Sequence, residues 1–294
     1  MPSKHLLELK GRLLGLEGTT TFAALAIAAR AALRAVPLLE RLPWERPLPE
    51  SKRATRGHKP KSNSEIVLGT FRSVATASVA ARWHNFGKSD RFQDIQHQAR
   101  LAGGAPDAGH ASSAPAAAGK AMEVAEIAFT RLREIRAGSR RDSSAHFAGQ
   151  AVTIAALGFL TTYDRQAAER LLTSRDPNFI ANRELAMAEL AVWKPAWEDL
   201  RLLENGLDAQ SLLTRALWIV PAPDYARDEW RNLSARLLQR VDENWKFWID
   251  WYEAMLAGPG GLSESSETAR VSLPNDLWEQ GPMAANAHIA SLAV

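Results

Sequence analysis

Apolar residues recur along most of this chain at intervals of three and four, which is the spacing of one face of an α-helix. Stretches in which apolar and polar residues alternate, as in a half-buried strand, are almost absent. The predicted fold is therefore all-α, a multi-helix array or bundle. Before the last third of the chain, the predicted helices cover residues 3–16, 22–39, 64–84, 90–101, 120–137, 143–163, 165–173, 178–193 and 195–203.

Two segments interrupt this helical pattern. Residues 43–63 contain four prolines and a run of basic residues, and they predict a long exposed loop. Residues 103–118 consist mainly of Gly, Ala, Ser and Pro and predict a flexible linker. The sequence therefore predicts a basic, alanine-rich helical region over 1–102 and a second helical region over 119–294, which ends in a tryptophan-rich unit at 216–294.

The composition is that of a soluble globular protein, with 46% hydrophobic and 23% charged residues among 294. The chain has no cysteine, which excludes disulfides and thiolate chemistry and favours a cytoplasmic location. The apolar stretch 22–39 carries Arg30 and Arg34 at its middle, so we interpret it as a core helix and expect no membrane association.

The charge is unevenly distributed along the chain. Residues 1–150 contain 23 Lys and Arg against 13 Asp and Glu, a net charge of +10, whereas residues 151–294 contain 13 against 20, a net charge of −7. Opposite charges on the two halves favour either intramolecular contact or head-to-tail association of two copies. The overall charge of +3 conceals this asymmetry.

Eight of the ten tryptophans lie after residue 190. Aromatic side chains of this kind are enriched where protein interfaces carry their binding energy, but they also fill the cores of alanine-rich bundles. We retain both interpretations, with Trp251 and Trp278 as the strongest interface candidates. The residues predicted as candidates for a partner interface are Trp245, Trp248, Trp251, Tyr252 and Trp278.

The run DENWKFWIDWYEAMLAG at 242–258, followed by LPNDLWEQGPMAANAHIASL at 273–292, resembles the C-terminal part of a group of uncharacterised proteobacterial proteins. Members of that group join such a tail to an alanine-rich helical region with a segment similar to AARAALRAVPLL at 28–39. The resemblance implies an all-helical cytoplasmic bacterial protein with a phage-related or defence-related role. It implies no catalytic residue.

The common motifs for nucleotide, phosphate and zinc binding are absent, and the seven histidines are scattered singly, so no cofactor and no metal site is predicted. Arg141 and His146 resemble the arginine–histidine motif of HEPN ribonucleases, which act without a metal. In such a site the histidine acts as general acid or base and the arginine holds the scissile phosphate. In the alternative interpretation, Asp142 and Ser143 simply cap the next helix.

Two basic clusters provide candidates for nucleic-acid binding through the phosphate backbone. Trp44 and Phe129 lie beside them as the few aromatic residues that could stack on bases. The alternative is that both clusters are solvated surface. The clusters consist of Lys52, Arg53, Arg56, Lys59 and Lys61, and of Arg131, Arg133, Arg136, Arg140 and Arg141.

Together these features favour a non-enzymatic interaction or assembly protein of the bacterial cytoplasm that binds a protein partner or itself. A HEPN-like ribonuclease and a phosphate-backbone binder are the two alternatives.

Overall fold

The computed structural model describes residues 4–16, 20–44, 62–83, 95, 118, 137–160, 189–218, 221–258 and 262–292. Within these ranges, the side chains of 4–6, 20, 137–142, 153, 156–160 and 225 lie outside the description. The described part of the chain is helical and contains no strand, which confirms the predicted all-α class.

The α-helices are numbered here in chain order. They are α1 (Lys4–Leu14), α2 (Thr20–Ala35), α3 (Asn63–Arg82), α4 (Ala137–Leu160), α5 (Lys194–Glu204), α6 (Ala209–Leu213), α7 (Asp224–Leu238), α8 (Lys246–Ala257), α9 (Glu264–Val271), α10 (Asn275–Glu279) and α11 (Pro282–Leu292). Two 3-10 helices, Val36–Arg41 and Val241–Glu243, follow α2 and α7, and a π-helical turn, Glu189–Trp193, precedes α5.

Local sequence signals explain where several of these helices begin and end. Helix α3 begins with a capping box, in which the Ser62 hydroxyl accepts a hydrogen bond from the Glu65 amide and the Glu65 carboxylate accepts one from the Ser62 amide. Helix α2 gives way to a 3-10 helix at Pro37, which has no amide N–H for the α-helical ladder. Asp142 and Ser143 lie inside α4 rather than at its start, so the predicted helix cap there is wrong.

Helix α2 lies at the centre of the core. Its many alanines allow close approach, and it packs against α1, α3, α4, α5 and α6. The stretch Thr21–Arg41 is long and apolar enough to cross a membrane by length and composition, but 94% of an 18-residue window within it is buried inside the protein. Other helices of the chain therefore cover its apolar surface, as expected for a core helix.

Two arginines on α2 share one carboxylate in the interior. Asp199 Oδ2, on α5, accepts hydrogen bonds from Arg30 Nε at 2.9 Å and from Arg34 Nη2 at 2.6 Å, and all three side chains are at most 2% exposed. Burial lowers the pKa of Arg34 to about 10, although the nearby Asp199 charge opposes this shift.

The same guanidinium groups also bind the backbone that follows α6. Other N–H groups of the two arginines donate to four carbonyl oxygens in the last turn of that helix and in the segment after it, so the positive charge lies at the C-terminal end of the helix. This arrangement fixes α5 and the segment 214–218 against α2. The four carbonyls belong to Leu212, Arg215, Ala216 and Leu217.

More exposed ion pairs join the N-terminal and C-terminal halves elsewhere. They are Arg12 with Glu204, Arg41 with Glu229, and Arg236 with Glu40. The two halves of the chain therefore meet through opposite charges within one molecule, which is one of the two arrangements that the charge asymmetry favours.

The helices on the two sides of the predicted linker share one core. Helices α1 and α2 pack directly on α4, and the buried apolar residues of both predicted regions form one continuous cluster. Of the predicted linker itself, the structure describes only Ala118, which is helical and buried. The division at 103–118 therefore does not separate two cores in the described part of the chain.

The aromatic residues of α8 fill this shared core. Phe71 of α3 contacts Trp245, Trp248, Trp251 and Tyr252, with ring centroids 5.2–6.5 Å apart. Each predicted partner-interface residue is at most 8% exposed: Trp245, Trp248, Trp251, Tyr252 and Trp278. The interface prediction for the four tryptophans is therefore corrected, because alanine-rich helices leave space that their rings occupy. Tyr252 also lines the cleft described below.

Removing the shared carboxylate should strongly destabilise the fold. Asp199→Asn leaves two buried guanidinium groups without a counter-charge, and we expect the free energy of unfolding to fall by about 3–5 kcal/mol. Denaturant unfolding followed by circular dichroism measures this change. Glu204→Gln, which removes the partner of the more exposed Arg12, is the matched control, and its loss should be below about 1 kcal/mol. Equal losses in the two variants would contradict the central role of Asp199.

Gly258 should tolerate a methyl group less well than Gly206 does. Both glycines have left-handed backbones, with φ of 99° and 91°, so alanine at either position should cost about 1–2 kcal/mol. At 258 an added Cβ would also lie 3.0 Å from the Thr214 carbonyl oxygen, whereas at 206 it meets nothing within 4 Å. We expect Gly258→Ala to lower the unfolding temperature clearly more than Gly206→Ala. The absence of a difference would exclude a tight contact there.

Candidate binding cleft

A cleft of about 400 Å³ lies between α7 and α8. Its volume is within the range of roughly 300–1,000 Å³ that is usual for ligand sites. The walls are mostly aromatic and aliphatic, with charged groups among them. The lining residues are Pro37, Trp218, Ala222, Ala226, Arg227, Trp230, Arg231, Ser234, Tyr252, Glu253 and Leu256.

One face of α7 forms the first wall. Arg227, Trp230, Arg231 and Ser234 follow each other at helical spacing and all line the cleft. Leu238 continues this row by one turn and is 53% exposed. We call these five residues the α7 face. It begins in the cleft and ends in an exposed aliphatic side chain.

The second wall belongs to α8 and is held by α2. The rings of Trp230 and Tyr252 pack with centroids 4.2 Å apart across the two walls. The Tyr252 hydroxyl donates a hydrogen bond of 3.0 Å to the Leu33 carbonyl. In an α-helix this carbonyl would accept from the amide of residue 37, but Pro37 has no amide N–H. Burial raises the pKa of Tyr252 well above its ordinary value, so the hydroxyl is a neutral donor.

The segment after α6 completes the cleft and is fixed in place. Arg34 binds the Leu217 carbonyl, and the Leu217 amide donates to the Leu256 carbonyl at 3.1 Å. The next residue, Trp218, donates its indole N–H to the Ala191 carbonyl at 2.9 Å. The buried arginine network therefore positions the Trp218 wall of the cleft.

The charged groups at the cleft differ between its two walls. On the α7 wall, Arg227 pairs with Asp224 and Arg231 pairs with Asp228, and both are exposed pairs within a single helix. Such pairs contribute less than about 1 kcal/mol. On the α8 wall, Glu253 is exposed. The lining of the cleft thus carries two arginines on α7, each paired with an aspartate of that helix, and one carboxylate on α8.

The exposed apolar surface continues beyond α7. Val241, in the following 3-10 helix, is 82% exposed. In the sequence, Val241 follows Trp230, Leu233 and Leu237 at intervals of three and four, and these three residues are buried. Because α7 ends at Leu238, the helical spacing no longer applies at Val241, and its side chain faces solvent.

The structure leaves the ribonuclease prediction untested. Arg141 and His146 both lie on α4, five positions and therefore about 140° apart around the helix axis. The His146 ring is half-buried, with its Nε2 3.0 Å from the Gln150 amide nitrogen, while the Arg141 side chain lies outside the described residues. Among the described residues no cluster of potential metal ligands occurs.

The nucleic-acid prediction also remains untested, because its candidates lie outside the described residues or have no described side chain. These candidates are Lys52, Arg53, Arg56, Lys59, Lys61, Arg131, Arg133, Arg136 and Arg140. The structure does describe Trp44, beside the first cluster. Its indole donates to the Glu40 carbonyl, and the guanidinium groups of Arg236 and Arg240 lie 5.5 Å and 5.2 Å from its ring centroid. Intramolecular cation–π contacts therefore already engage this ring.

Of the cleft residues, only Tyr252 is among the interface candidates that the sequence predicts. One signal was present, namely two arginines four positions apart on either side of a tryptophan in a helical segment. This signal does not reveal the opposite wall, which comes from residues near 37, 218 and 252.

No known protein family, curated protein or solved structure matches this chain. Its function therefore has to be inferred from its own geometry.

Removing the Tyr252 hydroxyl should weaken the link between α8 and α2. Tyr252→Phe leaves the buried Leu33 carbonyl without this donor, and we expect a loss of about 1–3 kcal/mol in the free energy of unfolding. Pro37→Ala supplies an amide N–H four residues after Leu33. The Tyr252→Phe loss should therefore be smaller in a Pro37→Ala background, as measured by a double-mutant cycle of denaturant unfolding. An unchanged loss would show that the two donors do not serve the same carbonyl.

Proposed function

We propose that this protein is a non-enzymatic interaction protein, and that a segment of a protein partner binds along the α7 face with one apolar side chain in the cleft. A single observation carries the proposal: the aromatic cleft opens onto the same helix face that presents the exposed Leu238. A cytoplasmic bacterial setting belongs to the proposal and is supported by the absence of cysteine.

The cleft has the properties of an anchor site. Trp218, Trp230 and Tyr252 offer rigid aromatic walls, and an apolar side chain seated among them loses its contact with water. Interfaces draw most of their energy from a few such desolvated positions, and the surrounding contacts mainly exclude water. Leu238 and Val241 extend the apolar contact beyond the cleft, so a chain segment fits this surface better than a compact ligand does.

The charge distribution supports a partner polypeptide other than a second copy of this chain. The opposite charges of the two halves are joined within one chain at Asp199 and by three more exposed pairs. Because these groups are paired within one chain, they do not need a second copy of the chain as a source of counter-charge. The α7 face, in contrast, holds arginines paired only locally among the described residues.

A bulky side chain at position 234 should block partner binding without disturbing the core. Ser234 lines the cleft, so Ser234→Phe fills it, whereas Ala235 is exposed on the adjacent surface of α7 and Ala235→Phe leaves the cleft open. We expect affinity capture from the native host, quantified by mass spectrometry, to lose one or more specific partners about tenfold or more with Ser234→Phe, a change of about 1.4 kcal/mol.

The control variant Ala235→Phe should capture the same proteins as the wild type. Circular dichroism and denaturant unfolding show whether both variants keep the wild-type fold. If every captured protein is retained equally by the two folded variants, the cleft is not the binding site and the proposal is wrong.

A further inference from the structure

We infer that the partner segment carries a carboxylate beside its apolar anchor, and that Arg227 and Arg231 bind this carboxylate at the mouth of the cleft. The inference rests on the proposed function and specifies its partner as an acidic–apolar polypeptide segment. It depends on the position of the charges within the cleft rather than on the net charge of the protein.

The two arginines are placed to act on one anionic group. They are four positions apart on α7, and residues at this spacing have Cβ atoms about 5–6 Å apart on the same side of a helix. Both line the cleft together with Trp230, which lies between them in sequence. A carboxylate next to an apolar group in the cleft therefore meets two guanidinium groups, whose planar N–H groups match carboxylate oxygens.

A carboxylate of a partner can readily replace the aspartates that now pair with these two arginines. The side chains of Arg227 and Arg231 are 52% and 73% exposed, and those of Asp224 and Asp228 are 84% and 59% exposed. Water screens such pairs, and their geometry ties no second helix in place. A partner carboxylate that enters the cleft is better shielded from water, so its attraction to the guanidinium groups is stronger.

Other arginines of the same region lack this freedom. Arg236, on α7, pairs with Glu40, and Arg41 pairs with Glu229, and each of these pairs joins α7 to the 3-10 helix after α2. Their side chains are 35% exposed or less, as are those of their partners. The fold therefore uses Arg41 and Arg236 to hold helices together and leaves Arg227 and Arg231 at the cleft.

Glu253 sets the orientation of the bound segment. It lines the opposite wall and is exposed. It repels a carboxylate that approaches along α8 and leaves the α7 wall as the favourable side. Among the other polar lining groups, Tyr252 donates to the Leu33 carbonyl and Ser234 donates to the Arg231 carbonyl, whereas the buried indole N–H of Trp230 has no hydrogen-bond partner among the described residues.

Selection of random peptides tests this chemistry without knowledge of the partner. A displayed library of random twelve-residue peptides is selected on the full-length wild-type protein and counter-selected on Ser234→Phe. We expect the retained peptides to be enriched in Asp and Glu within four positions of an aromatic or aliphatic residue, compared with the unselected library. Enrichment of Lys and Arg at those positions would overturn the inference.

The most enriched peptide then tests the two arginines directly. By fluorescence anisotropy, Arg227→Gln and Arg231→Gln should each weaken its binding about tenfold at low salt and less at high salt. Arg201→Gln is the matched control, because Arg201 also forms an exposed pair within its own helix, with Glu198, but does not line the cleft. The peptide should bind Arg201→Gln as tightly as it binds the wild type. It should bind Glu253→Gln more tightly than the wild type.

The outcomes separate the inference from the proposed function. If peptides prefer the wild type over Ser234→Phe but show no acidic enrichment, or bind the two arginine variants unchanged, the inference is wrong and the proposed function stands. If no peptide distinguishes the wild type from Ser234→Phe, the cleft does not bind a polypeptide segment. In that case both are wrong.

Discussion

The structure depends on two buried arginines that share one carboxylate. Arg30 and Arg34 lie on the central helix α2, and Asp199 joins them to α5. Burying such charges is unfavourable unless each is paired and hydrogen-bonded, so the position of the surrounding backbone is tightly constrained. The carbonyls that accept further hydrogen bonds from these arginines include that of Leu217, directly before Trp218. The interaction that organises the core therefore also places one wall of the cleft.

Aromatic side chains serve two roles in this fold. Trp245, Trp248 and Trp251 surround Phe71 and fill the space that alanine-rich helices leave between them. Trp218, Trp230 and Tyr252 instead line a cleft, although each is nearly buried. Both sets contain tryptophan, so residue type alone does not distinguish a tryptophan that fills the core from one that lines the cleft.

The charge asymmetry of the sequence has a structural counterpart within one chain. N-terminal Arg12, Arg30, Arg34 and Arg41 each pair with a C-terminal carboxylate. These long-range pairs stabilise the association of the two halves. The local pairs on the α7 face make no such connection, and the proposed binding role of Arg227 and Arg231 rests on this difference.

The sequence by itself determined the helical class, because helical periodicity, the proline at 37 and the cap at Ser62 act locally. It also indicated that the apolar stretch with Arg30 and Arg34 belongs to the core. Only the tertiary structure decided which acid pairs with those arginines, which tryptophans are buried, and where the cleft lies. Asp199 is 165 positions from Arg34, and Tyr252 is 219 positions from Leu33. Contacts at such separations depend on how the helices pack, and no local pattern encodes that packing.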